Sequence, residues 1–241
     1  MMKIPTLQGV IKRRILVNYR AEPDAIQKVL PKNFHPKLHN GKAVAGICLI
    51  RLEHIRPKFT PAFIGITSEN AAHRIAVLWE ENSETREGVF IPRRDTNSFI
   101  NASVGGTLFP GEHHKADFTV EDADKIDFAM KSMDKTVSVE LKGKISEKLP
   151  NNSIFSCLTE ASNFFETGSL GYSVTGEAKH LDGIILQTKE WKVDALELDF
   201  VHSSYYADES TFRKGSIEFD HALIMQNIAH EWRSAPSFDL T

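Results

Sequence analysis

Two adjacent arginines, Arg93 and Arg94, stand at the end of a strand-like segment. Residues 95–98, which follow them, are typical of a helix N-terminus. Guanidinium groups next to the free amides of a helix N-terminus favour the binding of a small anion or a carboxylate. The alternative is that the arginines form ion pairs with Asp95 and Glu87 and only stabilise the turn. Both interpretations stay open from this stretch alone.

Carboxylates and imidazoles near this stretch are candidates for acid/base chemistry. Glu69 and His73 precede it and share one face if their segment is extended. Such a pair acts as general base and proton carrier, although a hydrogen-bonded structural histidine is the commoner outcome. The candidate catalytic residues are Arg93, Arg94 and Glu87. The candidate substrate-binding residues are Arg93, Arg94, Glu69, His73, His113 and His114.

The run 112–114, Glu-His-His, raises the question of a metal site. On a strand, His113 and His114 point to opposite faces and do not bind one ion together without a bulge. A site that combines His73 with one of them and a glutamate needs contacts that the sequence does not reveal. The sequence also has no GxSxG nucleophile motif and no glycine-rich phosphate loop with lysine. We therefore predict neither a metal nor a cofactor.

Composition limits the class of protein. The chain has 241 residues and 41% hydrophobic residues, enough for a sizeable core, and no linker divides it, so we predict a single domain over 1–241. A net charge of −3 argues against nucleic acid or an anionic membrane as a partner. The run 12–14, Lys-Arg-Arg, is short and is predicted to be a solvated face.

Several observations indicate a cytoplasmic protein. Cys48 and Cys157 lie in apolar surroundings with no metal-ligand spacing, as expected for buried cysteines in a reducing compartment. The first nine residues lack the apolar core of a signal peptide. The longest apolar run, 44–50, is far below the ~20 residues that a membrane span needs.

Hydrophobic periodicity predicts many strands and few helices. Short helices are predicted over 22–31, 99–104, 156–166 and 221–232. Strands are predicted over 11–19, 43–53, 69–81, 85–94, 113–120, 126–133, 137–145, 184–193 and 196–206. In the strand at 137–145 we expect Val137, Val139, Leu141 and Ile145 to face inward. The pattern favours one α+β domain with a closed or strongly curved antiparallel sheet.

Two of these strands, 69–81 and 85–94, are predicted to form an antiparallel hairpin around residues 82–84. Regular alternation places Val89, Ile91 and Arg93 on one face of the second strand and Phe90 and Arg94 on the other. Only one of the two arginines then faces the interior.

The segment 86–94 resembles the part of acetoacetate decarboxylases in which a strand reaches an aromatic-x-Pro-Lys-Lys motif before a helix. Nearly the whole chain is similar to an uncharacterised bacterial family of the acetoacetate decarboxylase-like superfamily. That similarity rests on segments 17–19, 46–51, 68–74, 109–114 and 168–173. It implies a cone-shaped, closed antiparallel β-barrel flanked by a few helices, with a pocket inside, and makes a homo-oligomer plausible.

Function does not transfer with the fold. In the decarboxylases the first lysine of the pair forms a Schiff base with a β-keto acid, and its neighbour helps to lower its pKa. Arg93 and Arg94 occupy the matching positions here, and a guanidinium is not an amine nucleophile. The resemblance therefore leads us to expect no Schiff base at the usual position.

The leading hypothesis is a barrel that binds a small organic anion. Arg93 or Arg94 would hold the anion, and Glu87 would orient the arginine or transfer a proton. An enzyme of this design would be a lyase, isomerase or hydrolase using acid/base steps. The alternatives are a non-catalytic ligand-binding or sensor protein and a metal-assisted hydrolase using His73 and His113 or His114. Whether the protein is an enzyme stays open at this point.

Overall fold

The computed structural model describes residues 6–98, 111–177 and 179–240. Within these ranges the strands, in chain order, are β1 (Leu7–Ala21), β2 (His35–Pro36), β3 (Leu38–His39), β4 (Lys42–Pro57), β5 (Ile66–Glu81), β6 (Glu84–Thr96), β7 (His113–Asp122), β8 (Ile126–Ser132), β9 (Ser138–Ser146), β10 (Leu170–Val174), β11 (His180–Thr188), β12 (Asp194–Ser203) and β13 (Ile217–Asp239). The helices are α1 (Pro23–Gln27), α2 (Leu158–Glu166) and α3 (Ser204–Ala207), with a 3-10 turn at Ala62–Ile64. None of the helices in the described ranges is long and apolar enough to cross a membrane.

All of these strands belong to one sheet. Its order is β11-β10-β6-β7-β8-β9-β12-β13-β1-β4-β5-β2, with β3 paired to β4. Two further pairings, β5 with β6 and β11 with β13, bring distant parts of this order together. β6 is parallel to β7 and β10, and the other pairs are antiparallel. The predicted predominance of sheet with a few helices is confirmed.

The sheet buries both of its faces along β1, β4, β5 and the first part of β13. On the face that we call the core face, Ile15, Ile47 and Val77 contribute to the larger hydrophobic cluster. On the opposite face, which we call the cavity face, Leu16 and Ile50 join a second cluster with Phe165 of α2. Neighbouring residues such as Ile15 and Leu16 therefore enter different cores, as expected for strands covered on both sides.

The prediction of a helix over 221–232 is wrong, because these residues belong to β13. Residues 220–225 are all buried, since β13 has both faces covered. A continuous apolar run of this kind cannot be distinguished from a buried helix by periodicity alone. Ile145, expected to face inward, is 50% exposed near the end of β9.

The predicted hairpin of β5 and β6 is confirmed, with Asn82 and Ser83 in its turn at φ of 53° and 62°. The strand β6 is not regular, however. His73 pairs with Arg93, and Ile75 pairs with Phe90, so β6 has one extra residue between these pairs. This bulge changes the side on which later residues of β6 lie. The strand continues to Thr96, and the predicted helix over 99–104 lies outside the described residues.

Candidate functional site

A cavity of about 580 Å³ lies on the cavity face, beneath α2 and β11. Its polar wall comes from the central strands, with Arg14, Asn70, Arg74, Arg94 and His113 among the lining residues. Its apolar wall includes Ile50, Leu52, Val89, Ile91, Ile184, Leu186, Trp191 and Trp232. This volume is in the range of small-molecule sites, and the combination of apolar walls with a few polar groups is typical of them.

Arg94 reaches the cavity because of the bulge in β6, which puts it on the same face as Ile91. Its Nε donates a hydrogen bond of 2.9 Å to Oγ of Ser173 on β10. Its Nη2 is buried and has no hydrogen-bond partner within the described ranges. Burial lowers the pKa of Arg94 to about 10, so the guanidinium stays protonated at neutral pH. The guanidinium of Arg94 is thus fixed by Ser173, and its Nη2 is available as a donor to a ligand.

Two further arginines line the same cavity. Arg74 on β5 is 5% exposed, and its guanidinium donates to Oδ1 of Asn18 and lies 4.9 Å from the ring of Phe165. Burial lowers the pKa of Arg74 to about 10, and the nearby charge of Arg14 acts in the same direction. Arg14 on β1 donates from Nε to Sγ of Cys48 at 3.3 Å. Within the described part of the chain, neither arginine forms an ion pair.

His113, at the start of β7, completes the polar wall. Its Nδ1 lies 3.1 Å from the carbonyl oxygen of Gly111, so Nδ1 carries the proton and donates it there. Gly111 has a φ of +91°, and a Cβ at this position would meet Ser173. Burial lowers the pKa of His113 to about 3, and the charge of Arg94 lowers it further. The imidazole is therefore neutral, and its Nε2 is left as a proton acceptor.

Arg93 lies on the core face and does not line the cavity, contrary to the regular alternation expected from sequence. It donates to both carboxylate oxygens of Asp95, and its Nη2 also lies 2.9 Å from Oδ2 of Asp134. Asp95 is fully buried. Arg93 therefore forms the ion pair with Asp95 that the alternative interpretation predicted, whereas Arg94 lines the cavity.

The two candidate glutamates do not line this cavity, although Glu87 lines a small adjoining pocket together with Arg14 and Arg74. Glu87 forms an ion pair of 2.6 Å with Lys37 and is 36% exposed. Glu69 is on the core face, where its carboxylate binds Arg13 at 2.7 Å and Arg51 at 3.4 Å. Both carboxylates thus pair with cations other than Arg94.

The histidines separate in the same way. His73 is fully buried on the core face, with its ring 4.4 Å from that of Tyr205. His114 lies next to Asp134, with Nδ1 at 3.5 Å from Oδ2. His73 and His113 therefore occupy opposite faces of the sheet. Within the ranges that the structure describes, no three histidine, cysteine, aspartate or glutamate side chains converge as a metal site requires.

Sequence reasoning missed part of the cavity wall. The run 12–14 was predicted to be solvated, yet Arg13 is 1% exposed and Arg14 lines the cavity. Cys48 was predicted to be buried, and it is buried and contacts Arg14, whereas the same prediction for Cys157 is wrong, because that residue is exposed. The available signal was the phase of β1, in which Arg14 shares a face with the buried Leu16. Trp191 also lines the cavity.

The fold and the cavity define a mostly-sheet protein with a cavity of small-molecule size, in which three arginines have no ion-pair partner among the described residues. The chain belongs to the DUF2071 family, whose description is an uncharacterized conserved protein and whose model matches residues 10–211. A comparison with curated proteins found no match.

Solved structures support the fold. Acetoacetate decarboxylase from Legionella pneumophila has 12% identity and a TM-score of 0.61, over 99% of this chain and 88% of that one. An acetoacetate decarboxylase-like enzyme from Sphingomonas wittichii RW1 has 13% identity and a TM-score of 0.61, over 98% and 92%. The enduracididine biosynthesis enzyme MppR, complexed with pyruvate, has 11% identity and a TM-score of 0.59, over 100% and 92%. At these identities the likeness concerns the fold.

Proposed function

We propose that this protein binds a small organic anion of the carboxylate type in the cavity, with Arg94 as the main ligand of the anion. The observation that carries this proposal is a protonated guanidinium whose Nη2 has no partner among the described residues, in a cavity with apolar walls. A buried charge without a partner costs several kcal/mol, on the order of what an ion pair with a bound carboxylate returns. The bound carboxylate thus provides the negative charge that no described residue provides for Arg94.

The relatives support a carboxylate in this position. Their names and titles mention acetoacetate and pyruvate, which are both small carboxylates. In our proposal the sheet forms a cone-shaped barrel like that of the acetoacetate decarboxylases. The chemistry differs from theirs at the position of the lysine pair. Arg93 and Arg94 stand where the resemblance expects the lysine pair, so the charge there binds an anion and forms no imine.

We assign the proton-transfer role to His113 rather than to Glu87. His113 lines the cavity, and Nε2 is its unprotonated nitrogen. The charge of Arg94 is one reason for the low pKa of His113, so a carboxylate bound to Arg94 would raise that pKa. Ligand binding would therefore make His113 a stronger base, which is the behaviour required of a general base.

Binding is tested by calorimetry and melting temperature with pyruvate, acetoacetate and butyrate. We expect Arg94→Gln to weaken the affinity for a bound carboxylate by about 10- to 100-fold, as for loss of a charge-assisted hydrogen bond. The matched control is Arg86→Gln, on the exposed end of the same strand. Equal affinities in the wild type and Arg94→Gln would contradict the proposal.

Two assays then separate the possible roles of the site. Borohydride treatment with acetoacetate should leave no covalent adduct, and an adduct on Lys189, which lines the cavity, would instead indicate an imine enzyme. Conversion of a bound carboxylate that is lost in His113→Gln would indicate acid/base catalysis. Binding without conversion would favour the alternative of a ligand-binding or sensor protein.

A further inference from the structure

Three arginines share the cavity without an acidic partner in the described residues. Arg14, Arg74 and Arg94 come from β1, β5 and β6, and all three line the cavity. None of them lies within ion-pair distance of a described carboxylate. A site for a single carboxylate needs one guanidinium, because one guanidinium can bind both carboxylate oxygens. The remaining positive charge therefore requires a further explanation.

Each of these arginines is held by a group other than a carboxylate. Arg14 donates to the sulfur of Cys48, Arg74 donates to the amide oxygen of Asn18, and Arg94 donates to the hydroxyl of Ser173. These contacts fix the position of each guanidinium, and none of them pairs its charge with a described carboxylate.

The anchor of Arg74 is itself fixed by a buried chain of hydrogen bonds. Nδ2 of Asn18 lies 3.1 Å from Nε2 of His221, and Nδ1 of His221 lies 2.6 Å from Oδ2 of Asp220. The amide donates to Nε2, so Nδ1–H of His221 donates to the carboxylate. Asn18, His221 and Asp220 are each at most 2% exposed. The amide oxygen of Asn18 is thereby directed at Arg74.

The other charged residues of the wall do not cancel the three arginines. Arg233 already pairs with Glu231 at 2.9 Å, and Asp95 binds Arg93 on the core face. Among the described lining residues this leaves Lys189 with one positive charge and Glu166 and Glu190 with one negative charge each. Four cations against two carboxylates leave an excess of two positive charges.

Two described carboxylates lie near the cavity without lining it: Glu87, which already pairs with Lys37 at 2.6 Å, and Asp182. Asp182 on β11 raises the pKa of Arg94, after the larger and opposite effect of burial and the contribution of Cys48. Its Oδ2 accepts a hydrogen bond of 3.0 Å from the amide of Gly111, and its Oδ1 lies 3.7 Å from His180. Asp182 is therefore already engaged outside the wall, and the excess charge stays with the cavity.

We infer that the cavity takes a doubly charged organic acid, with one anionic group on Arg94 and the second on Arg74 and Arg14. This inference rests on the proposed anion-binding function. The carbon chain between the two groups would lie against Ile91 and Leu186 of the apolar wall. The cavity of about 580 Å³ has room for such a molecule.

The test compares dicarboxylates with their half-amides. Succinate, glutarate and adipate are titrated calorimetrically next to succinamate, glutaramate and adipamate, which match them closely in size and differ by one charge. We expect at least one dicarboxylate to bind the wild type more than tenfold tighter than its half-amide. If no pair differs by tenfold while the half-amides bind, the inference is overturned and the proposed function stands. If neither series binds, both are contradicted.

Variants locate the second anionic group. Arg74→Gln and Arg14→Gln should lower the affinity for the preferred dicarboxylate to that of its half-amide and leave half-amide binding unchanged. Arg94→Gln should weaken both ligands. Arg233→Gln is the matched control, because Arg233 lines the cavity but is paired with Glu231, and it should change neither affinity by more than about twofold. Equal losses for both ligands in Arg74→Gln and Arg14→Gln would overturn the assignment, and melting temperatures would confirm that the variants are folded.

Discussion

Arginines on the two faces of the sheet differ in whether they form ion pairs. Arg13 and Arg93 lie on the core face and bind the buried carboxylates of Glu69 and Asp95. Their neighbours Arg14 and Arg94 lie on the cavity face, where no described carboxylate pairs with them. Adjacent arginines thus have different roles: one stabilises the fold, and the next is available to a ligand. The arrangement of carboxylates, and not the arginines themselves, decides which role each one has.

The largest difference between the faces should appear at Arg13 and Arg14. Arg13→Gln leaves Glu69 buried without its closest cation, so we expect the free energy of unfolding to fall by about 3–5 kcal/mol. Arg14→Gln removes a contact with Cys48 and a cation–π contact of 5.9 Å with Trp191, so we expect a loss of about 1 kcal/mol or less. Urea denaturation of both variants measures these losses of unfolding free energy. Similar losses in the two variants would contradict the proposed difference between the faces.

The same contrast is expected, at a smaller size, within β6. Arg93→Gln removes the main partner of Asp95, which is fully buried, and should cost about 2–3 kcal/mol. Arg94→Gln removes a buried cation with no described counter-ion, so the free energy of unfolding should fall by less than about 1 kcal/mol or rise, while carboxylate affinity falls about 10- to 100-fold. Denaturation and calorimetry on the same two variants check this. A strongly destabilised Arg94→Gln would mean that an acid pairs with it after all.

Acid should weaken the fold through a core-face histidine. Burial lowers the pKa of His73 from 6.5 to about 3, so the unfolded chain binds a proton there below about pH 6.5 and the folded chain does not. Stability therefore falls as the pH drops from 6.5 towards 3, by up to about 1.4 kcal/mol per pH unit from this residue. Denaturation of the wild type and His73→Phe between pH 7 and about pH 4.5 should give a shallower decline for the variant. Parallel curves would contradict a neutral, buried His73.

The smallest effect is expected at Glu87. Its pair with Lys37 is partly exposed, so Glu87→Gln should lower the unfolding free energy by less than about 1 kcal/mol. Because Glu87 does not line the main cavity, carboxylate affinity should stay within about twofold of the wild type. A large loss of affinity in calorimetry would restore the original assignment of Glu87 as the orienting partner of the arginine.

Local patterns predicted much of the sheet. The alternation at the start of β9, the hairpin of β5 and β6, and the helix α2 with Ala161 and Phe165 buried all follow from residue spacing. These elements have one polar side or a clear turn, so their periodicity is visible. β13 has both faces covered in the middle, and its apolar run gave a wrong prediction of helix.

The site was only half visible in the sequence. Arg94 and His113 were named because of their residue types. The faces on which they lie depend on a bulge, which alternation does not reveal. Arg14 and Arg74 line the cavity because β1, β4, β5 and β6 pair side by side. Glu69 lies on the other face, where it pairs with Arg13, 56 residues away in the chain. Such long-range contacts are not encoded in any local window.

The extra residue in β6 also has a consequence for engineering and for divergence among homologues. The tip of the β5–β6 hairpin around Asn82 and Ser83 lies at the opposite end of β6 from Arg94, and the bulge lies between the tip and Arg94. We expect that loops of other lengths, or a fluorescent or affinity tag, grafted at that exposed tip leave the guanidinium in the cavity. Variation in length there is therefore expected to be neutral, whereas the irregular step beside Pro92 tolerates little change.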